Sequence, residues 1–330
     1  MSRSLYALSV LALSIASPHA TKAADPQKQL VLISFDGAGD NKLWDKSLAM
    51  AKASGAHFTY FLSCTNLMTR QQGAAYKAPG MKAGRSNVGF AVSTEDVRTR
   101  LDHIWNAHLQ GHEIASHGCG HFDGKDWTKA DWLKEMRSFD DVVLNAWQTA
   151  GIANKEPEGW RDFATHGIKG FRAPYLSTSD SLHAAERESG FTFDASLVTN
   201  GPQLPDTEKG LTAFGLPLIL EGPKQRRIIG MDYNLFVRHS AGMDNPSRTR
   251  EFEERAYQAF RAAFDEQYDG DRIPLQLGFH FVEMNAGAYW RALDRIVSEV
   301  CGIKDVACVS YSEAMQSVNA ERQEPKSVSQ

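Results

Sequence analysis

Leu30-Val31-Leu32-Ile33-Ser34-Phe35-Asp36-Gly37 decides how the rest of the 330-residue chain is read. A continuous apolar run of this length is the mark of a strand buried on both faces. It ends on a carboxylate. A helix-like stretch from Leu43 to Lys52 follows, then a second strand-like run from His57 to Ser63. Strand, helix and strand in that order imply a parallel pair joined by a crossover.

The alternation continues outward. Ser93-Thr94-Glu95-Asp96 supplies a cap and early acids for a helix reaching about Gln110. Further strands are expected leading into His117, at Lys169–Arg172, Phe191–Leu197, Gly215–Leu220, Ile228–Met231, Leu275–Phe281 and Val306–Ser310. Helices are expected at Thr128–Ala150, Asp180–Ser189, Arg248–Gln267 and Ala286–Val300, with a short one after Ser312. Trp132, Met136, Phe139, Val143 and Trp147 recur at helical spacing and read as core rather than as sugar platforms. Asn66–Val92 has no clear period; a loop of that length usually forms a lid or a wall of a binding site. Strand–helix units throughout imply an α/β protein whose parallel sheet closes into a barrel.

Arg3, an apolar stretch from Leu5 to Ala16, and small residues up to Ala24 describe a secretory signal peptide, with cleavage expected after Ala23. The apolar stretch is too short to span a bilayer. The organisation expected is 1–23 signal peptide, 24–315 a single domain, and 316–330 a polar, disordered tail. The chain carries 36 Lys and Arg against 40 Asp and Glu; without residues 1–23 its formal charge is −6. Such a balance gives no electrostatic case for nucleic acid or anionic membrane as partners. The mature protein is therefore expected to be exported and soluble, in the periplasm or outside the cell.

Four cysteines, an even number, suit an oxidising compartment. Cys301 and Cys308 flank a short polar turn and form the easier pair. Cys64 and Cys119 each follow a strand-like run, so neighbouring parallel strands could join them; metal ligation is the alternative for Cys119.

Reactive groups in such a fold lie at the C-terminal ends of strands. Asp36 ends the first strand. His117 and His121 follow the third, spaced by Gly118, Cys119 and Gly120, which leave room for two rings to converge on one ion. Two solvated loop histidines would give the same pattern. Arg172-Ala173-Pro174-Tyr175, Asp194 and Leu277-Gly278-Phe279-His280 complete the set. A carboxylate, a histidine pair, an arginine and a separate histidine are the parts of a metal-assisted hydrolase.

In their order along residues 30–310, Ser34-Phe35-Asp36-Gly37, His117-xxx-His121, Arg172-Ala-Pro-Tyr175, Asp194 and Leu277-xx-His280 resemble the five motifs of the polysaccharide deacetylases. This is the NodB-homology family, also called carbohydrate esterase family 4. The resemblance implies a distorted (β/α) barrel of about seven strands. It implies that His117 and His121 hold a divalent metal, commonly zinc, and that Asp36 is the general base activating the metal-bound water. An N-acetyl carbonyl would meet the metal, with the oxyanion held there and by the backbone N–H of Tyr175. His280 would be the general acid. Arg172 would orient a catalytic carboxylate, and Asp194 would orient His280. One departure stands out: Gly37 occupies the place where the family has a metal-binding aspartate. Asp40, Asp36 turned inward, or water could supply the third ligand; Asp40 is the expectation, since Gly37-Ala38-Gly39 permits a tight turn. The activity expected is metal-dependent removal of acetyl groups, N-acetyl first, from a carbohydrate. The alternatives are a carbohydrate-binding pseudoenzyme and a hydrolase of non-sugar C–N bonds.

Overall fold

The computed structural model describes residues 28–323. The expected signal peptide therefore lies outside the described residues. The strands are β1 (Gln29–Gly37), β2 (Thr59–Leu62), β3 (Glu113–Ser116), β4 (Gly170–Phe171), β5 (Phe193–Thr199), β6 (Asp206–Glu208), β7 (Leu211–Glu221), β8 (Arg226–Ile229), β9 (Leu275–His280) and β10 (Val306–Cys308). They form one curled sheet, a distorted (β/α) barrel. Seven strands, β9-β1-β2-β3-β4-β5-β7, make its parallel wall. β10 pairs with the start of β1, Gln29 to Val31, ahead of the stretch that pairs with β2. β6 and β8 are antiparallel additions to β7. A parallel bridge from Met231 to Gly278 brings the chain after β8 back to β9 and closes the circuit.

The strand period of two sorts β1 into two faces. Val31, Ile33 and Phe35 pack outward into the larger core under the helices. Leu30 and Leu32 face the barrel interior with Phe61, Ala115, Phe193 and Phe214. Ser34 and Asp36 continue that inner row, so a strand that is apolar for most of its length delivers a carboxylate at its end.

Helices alternate with the wall strands. Asp40 caps Asn41–Ser54, which ends at Gly55 in the left-handed region (φ 69°). Thr128 and Asp131 form a reciprocal capping box at Lys129–Leu144. That helix stops at Asn145 and a separate turn, Ala146–Thr149, follows, so the expected Thr128–Ala150 helix is two elements. Its apolar stripe is core as expected, with Trp132 and Trp147 both buried. Two boundaries differ more. Ile228–Met231 is no wall strand: β8 turns back on β7 because Gly222 allows a tight turn there. The last helix, Tyr311–Gln323, extends through residues assigned to the tail, and its Tyr311, Ala314 and Val318 fill the barrel interior.

Candidate active site

Asp36, His117, His121 and His280 line one cleft at the C-terminal ends of β1, β3 and β9. The cleft has two lobes, about 460 and 680 Å³, which share these four residues together with Val88 and Val282. The segment 66–92 forms part of its wall, through Val88 and Phe90.

Arg172, fully buried, organises the floor. Its Nη1 donates to Asp36 Oδ1 at 2.8 Å and to Ser34 Oγ at 2.9 Å. Nη2 donates to the Tyr311 hydroxyl and Nε to the Ala195 carbonyl. The guanidinium lies 4.1 Å from the Phe61 ring centroid. Burial pushes the Asp36 carboxyl up, but Arg172, with His117 and His280 nearby, outweighs it and holds Asp36 below its usual range. Asp36 is a fixed, ionised acceptor.

His117 sets its Nδ1 2.7 Å from the Arg172 carbonyl, which accepts the ring N–H. That leaves Nε2 as the lone-pair nitrogen, and it is buried without a partner. Burial lowers the His117 pKa to about 3 and that of His121 in the same direction, so both rings are neutral. Their centroids are 4.9 Å apart. A neutral histidine whose second nitrogen is fixed by a carbonyl and whose first is orphaned matches a metal donor. In these two donors the site fits a divalent cation. A third does not join them: among the described residues no group of three His, Cys, Asp or Glu is arranged to hold a metal ion.

Asp40 does a different task from the one expected. Its Oδ1 accepts the N–H groups of Lys42 (2.8 Å) and Leu43 (3.1 Å), which is helix capping, although it also lines the cleft. Cys119 is not a ligand either, being joined to Cys64 by a disulfide; Cys301 pairs with Cys308.

Asp194 does not orient His280. It is fully buried beside Glu186 and accepts the Ser196 hydroxyl and backbone N–H, and Ser196 Oγ in turn accepts the Ala173 N–H. Burial raises the pKa of both Asp194 and Glu186. The partner of His280 is Asp232, buried at the start of helix Asp232–Ser240. Burial alone would lower the His280 pKa; the Asp232 carboxylate, with Asp36, reverses this and raises it. Sequence reasoning passed over Asp232, yet it follows directly on the expected strand Ile228–Met231, where a reactive group belongs. Tyr175 stands at the rim, 58% exposed, with its ring 4.9 Å from that of His121. Tyr175 (φ 59°) and His121 (φ 54°) both hold left-handed backbone, as strained residues at functional sites do.

Compared with solved structures, the chain superposes on an assigned polysaccharide deacetylase from Mycobacterium smegmatis with a TM-score of 0.55 and 17% identity, over 97% of this chain and 98% of that one. The fold is that of the polysaccharide deacetylases. The peptidoglycan deacetylase PdaC of Bacillus subtilis matches with a TM-score of 0.45 at 11% identity, over 91% and 96% of the two chains. A CE4 family pseudoenzyme from Bacillus anthracis matches at 0.47 and 11%, over 88% and 66%. No protein-family model matches the chain, and no curated protein does. Within the polysaccharide deacetylase fold, the site described above occupies the ends of the parallel wall strands.

Proposed function

We propose that the chain is an exported, metal-dependent hydrolase that removes acetyl groups, N-acetyl first, from a carbohydrate polymer or oligosaccharide. The observation that carries this reading is the opposed pair Asp36 and His280. In one cleft Arg172 holds the pKa of the first below its usual range and Asp232 raises that of the second. Titratable groups whose surroundings push their pKa values apart are the acid and base of a reaction.

His117 and His121 would hold the divalent ion, zinc in the first instance, which supplies Lewis acidity to a carbonyl and to water. Asp36 accepts a proton from the attacking water as the new C–O bond forms. His280 delivers a proton to the departing nitrogen as the C–N bond breaks, giving acetate and a free amine. The backbone N–H of Tyr175 is the donor for the oxyanion, and its exposed ring offers a face to a sugar. Asp194 acts at a distance, through Ser196, on the segment that carries Arg172. Export is consistent with two disulfides, and among the described residues no helix is long and apolar enough to cross a membrane.

Among the described residues no third donor joins the two histidines, which favours a second reading, a carbohydrate-binding pseudoenzyme. Acetate release from chitin oligomers, peptidoglycan and acetylated xylan, with and without chelator, tests both. Chelator-sensitive release supports the hydrolase; polymer binding with no acetate from any of the three supports the pseudoenzyme.

A further inference from the structure

The loop that carries both histidines has little to hold it from within. Two of its three central residues are glycines, and Gly118 sits at φ 66°. The ties come from outside. Cys119 is joined to Cys64, Thr65 Oγ1 donates to the Cys119 carbonyl, and Asn87 bonds to both the Gly120 and His121 carbonyls. Those contacts meet carbonyls and sulfur.

The Gly118 N–H goes to Ser116 Oγ, and the next two loop amides converge on one carboxylate. Glu135 Oε1, from helix Lys129–Leu144, accepts the N–H of Cys119 at 2.9 Å and of Gly120 at 3.2 Å. It also accepts the Tyr76 hydroxyl at 2.7 Å, and that hydroxyl oxygen accepts the Gly120 N–H at 2.9 Å. Glu135 is 3% exposed, its Oε2 is buried without a partner, and among the described residues no cation lies within ion-pair distance of it. What holds the buried carboxyl in place is this set of amide and hydroxyl donors.

We propose that Glu135 is a positioning residue for the histidine pair, fixing the loop between them through its amides. This rests on the reading of His117 and His121 as metal donors. Residues that hold metal ligands in place govern affinity without touching the ion.

The test uses the full chain with its disulfides intact, titrated with Co²⁺ by visible absorption and with Zn²⁺ by competition against a chromophoric chelator. Glu135→Gln, which keeps an acceptor and removes the charge, should weaken both affinities about 10–100-fold. Amide exchange at Cys119 and Gly120 should speed up in the same variant. If Glu135→Gln binds as tightly as the wild type, the proposal falls while the metal reading stands. A wild-type chain that binds neither ion removes the metal reading and the role of Glu135 with it. Should Glu135→Gln fail to fold, Tyr76→Phe takes its place: it removes the two bonds of that hydroxyl and should weaken affinity by a smaller factor, and wild-type affinity there overturns the proposal.

Discussion

Asp232 holds His280 at two points: its Oδ1 lies 2.7 Å from the ring Nδ1, and its Oδ2 accepts the His280 backbone N–H at 2.9 Å. The two contacts fix both the rotamer and the tautomer, leaving the other ring nitrogen for the cleft. Because the folded-state pKa of His280 is raised, the stabilisation from this pair is complete below about 6.5 and is lost as pH rises through the folded value. Asp232→Asn keeps the shape and removes the charge. The alkaline limb of kcat/KM should move to lower pH and turnover should fall about 10²–10⁴-fold. An unmoved limb would mean that another group sets it.

His280→Ala should lower turnover by a similar factor while leaving the metal content of the protein unchanged. His280 lies on β9, whereas the histidine pair follows β3. Metal analysis of the purified variant checks this, and a loss of bound ion would reassign His280 as a ligand.

Arg172→Met should cost about 3–5 kcal/mol at neutral pH, since it strands a buried carboxylate. The sign with pH follows from the lowered pKa of Asp36. In the wild type its contribution is present above the ordinary value of 3.8 and fades as pH falls through the folded one. In the variant Asp36 prefers its proton, so the deficit should shrink on acidification. Urea denaturation at pH 7 and pH 5 measures it; equal deficits would show that Asp36 is not the group left unpaired.

The parallel wall was legible because its strands are apolar and its helices carry caps and stripes of their own. Leu30–Phe35, Thr128 with Asp131, and the Trp132 stripe say the same thing locally that the fold says globally. Four residues that share the cleft were legible for a related reason: Asp36, His117, His121 and His280 sit where apolar runs end. Asp232 was missed because the preceding strand is short, and because Asp194 offered a carboxylate at strand level in the right order. Both are buried, and what separates them is which one meets His280, which depends on β5 and β8 taking different places in the sheet. Glu135 and Tyr76 carry no local mark at all, since their work is done across contacts 15 to 59 residues apart in sequence.

The two disulfides should separate in their effects. Cys64–Cys119 closes a span of 55 residues, worth about 4 kcal/mol by chain entropy, and Cys301–Cys308 a span of 7, worth about 2.5. Only the first grips the histidine loop. The paired Cys64→Ala and Cys119→Ala variant should lose more stability and also weaken Zn²⁺ binding. The Cys301→Ala and Cys308→Ala variant should lose less and bind the ion as before. Free thiols in the wild-type protein, counted by mass spectrometry, would contradict both bonds.

Asp40 gives the last test, because two roles predict opposite results. As a cap, its Oδ1 serves the first N–H groups of helix Asn41–Ser54, and Asp40→Ala should cost about 0.5–2 kcal/mol. As a third ligand, it would hold the ion whatever it does for the helix. The bonds to Lys42 and Leu43 point the carboxylate back along its own chain, and Gly37, ahead of it, has nothing within 4 Å of where a side chain would begin. The cap should therefore win: Asp40→Ala melts earlier yet keeps the wild-type metal stoichiometry. Asp40→Asn, which can still cap, should match the wild type in both. If Asp40→Asn keeps its stability and loses its metal, Asp40 is the missing donor after all.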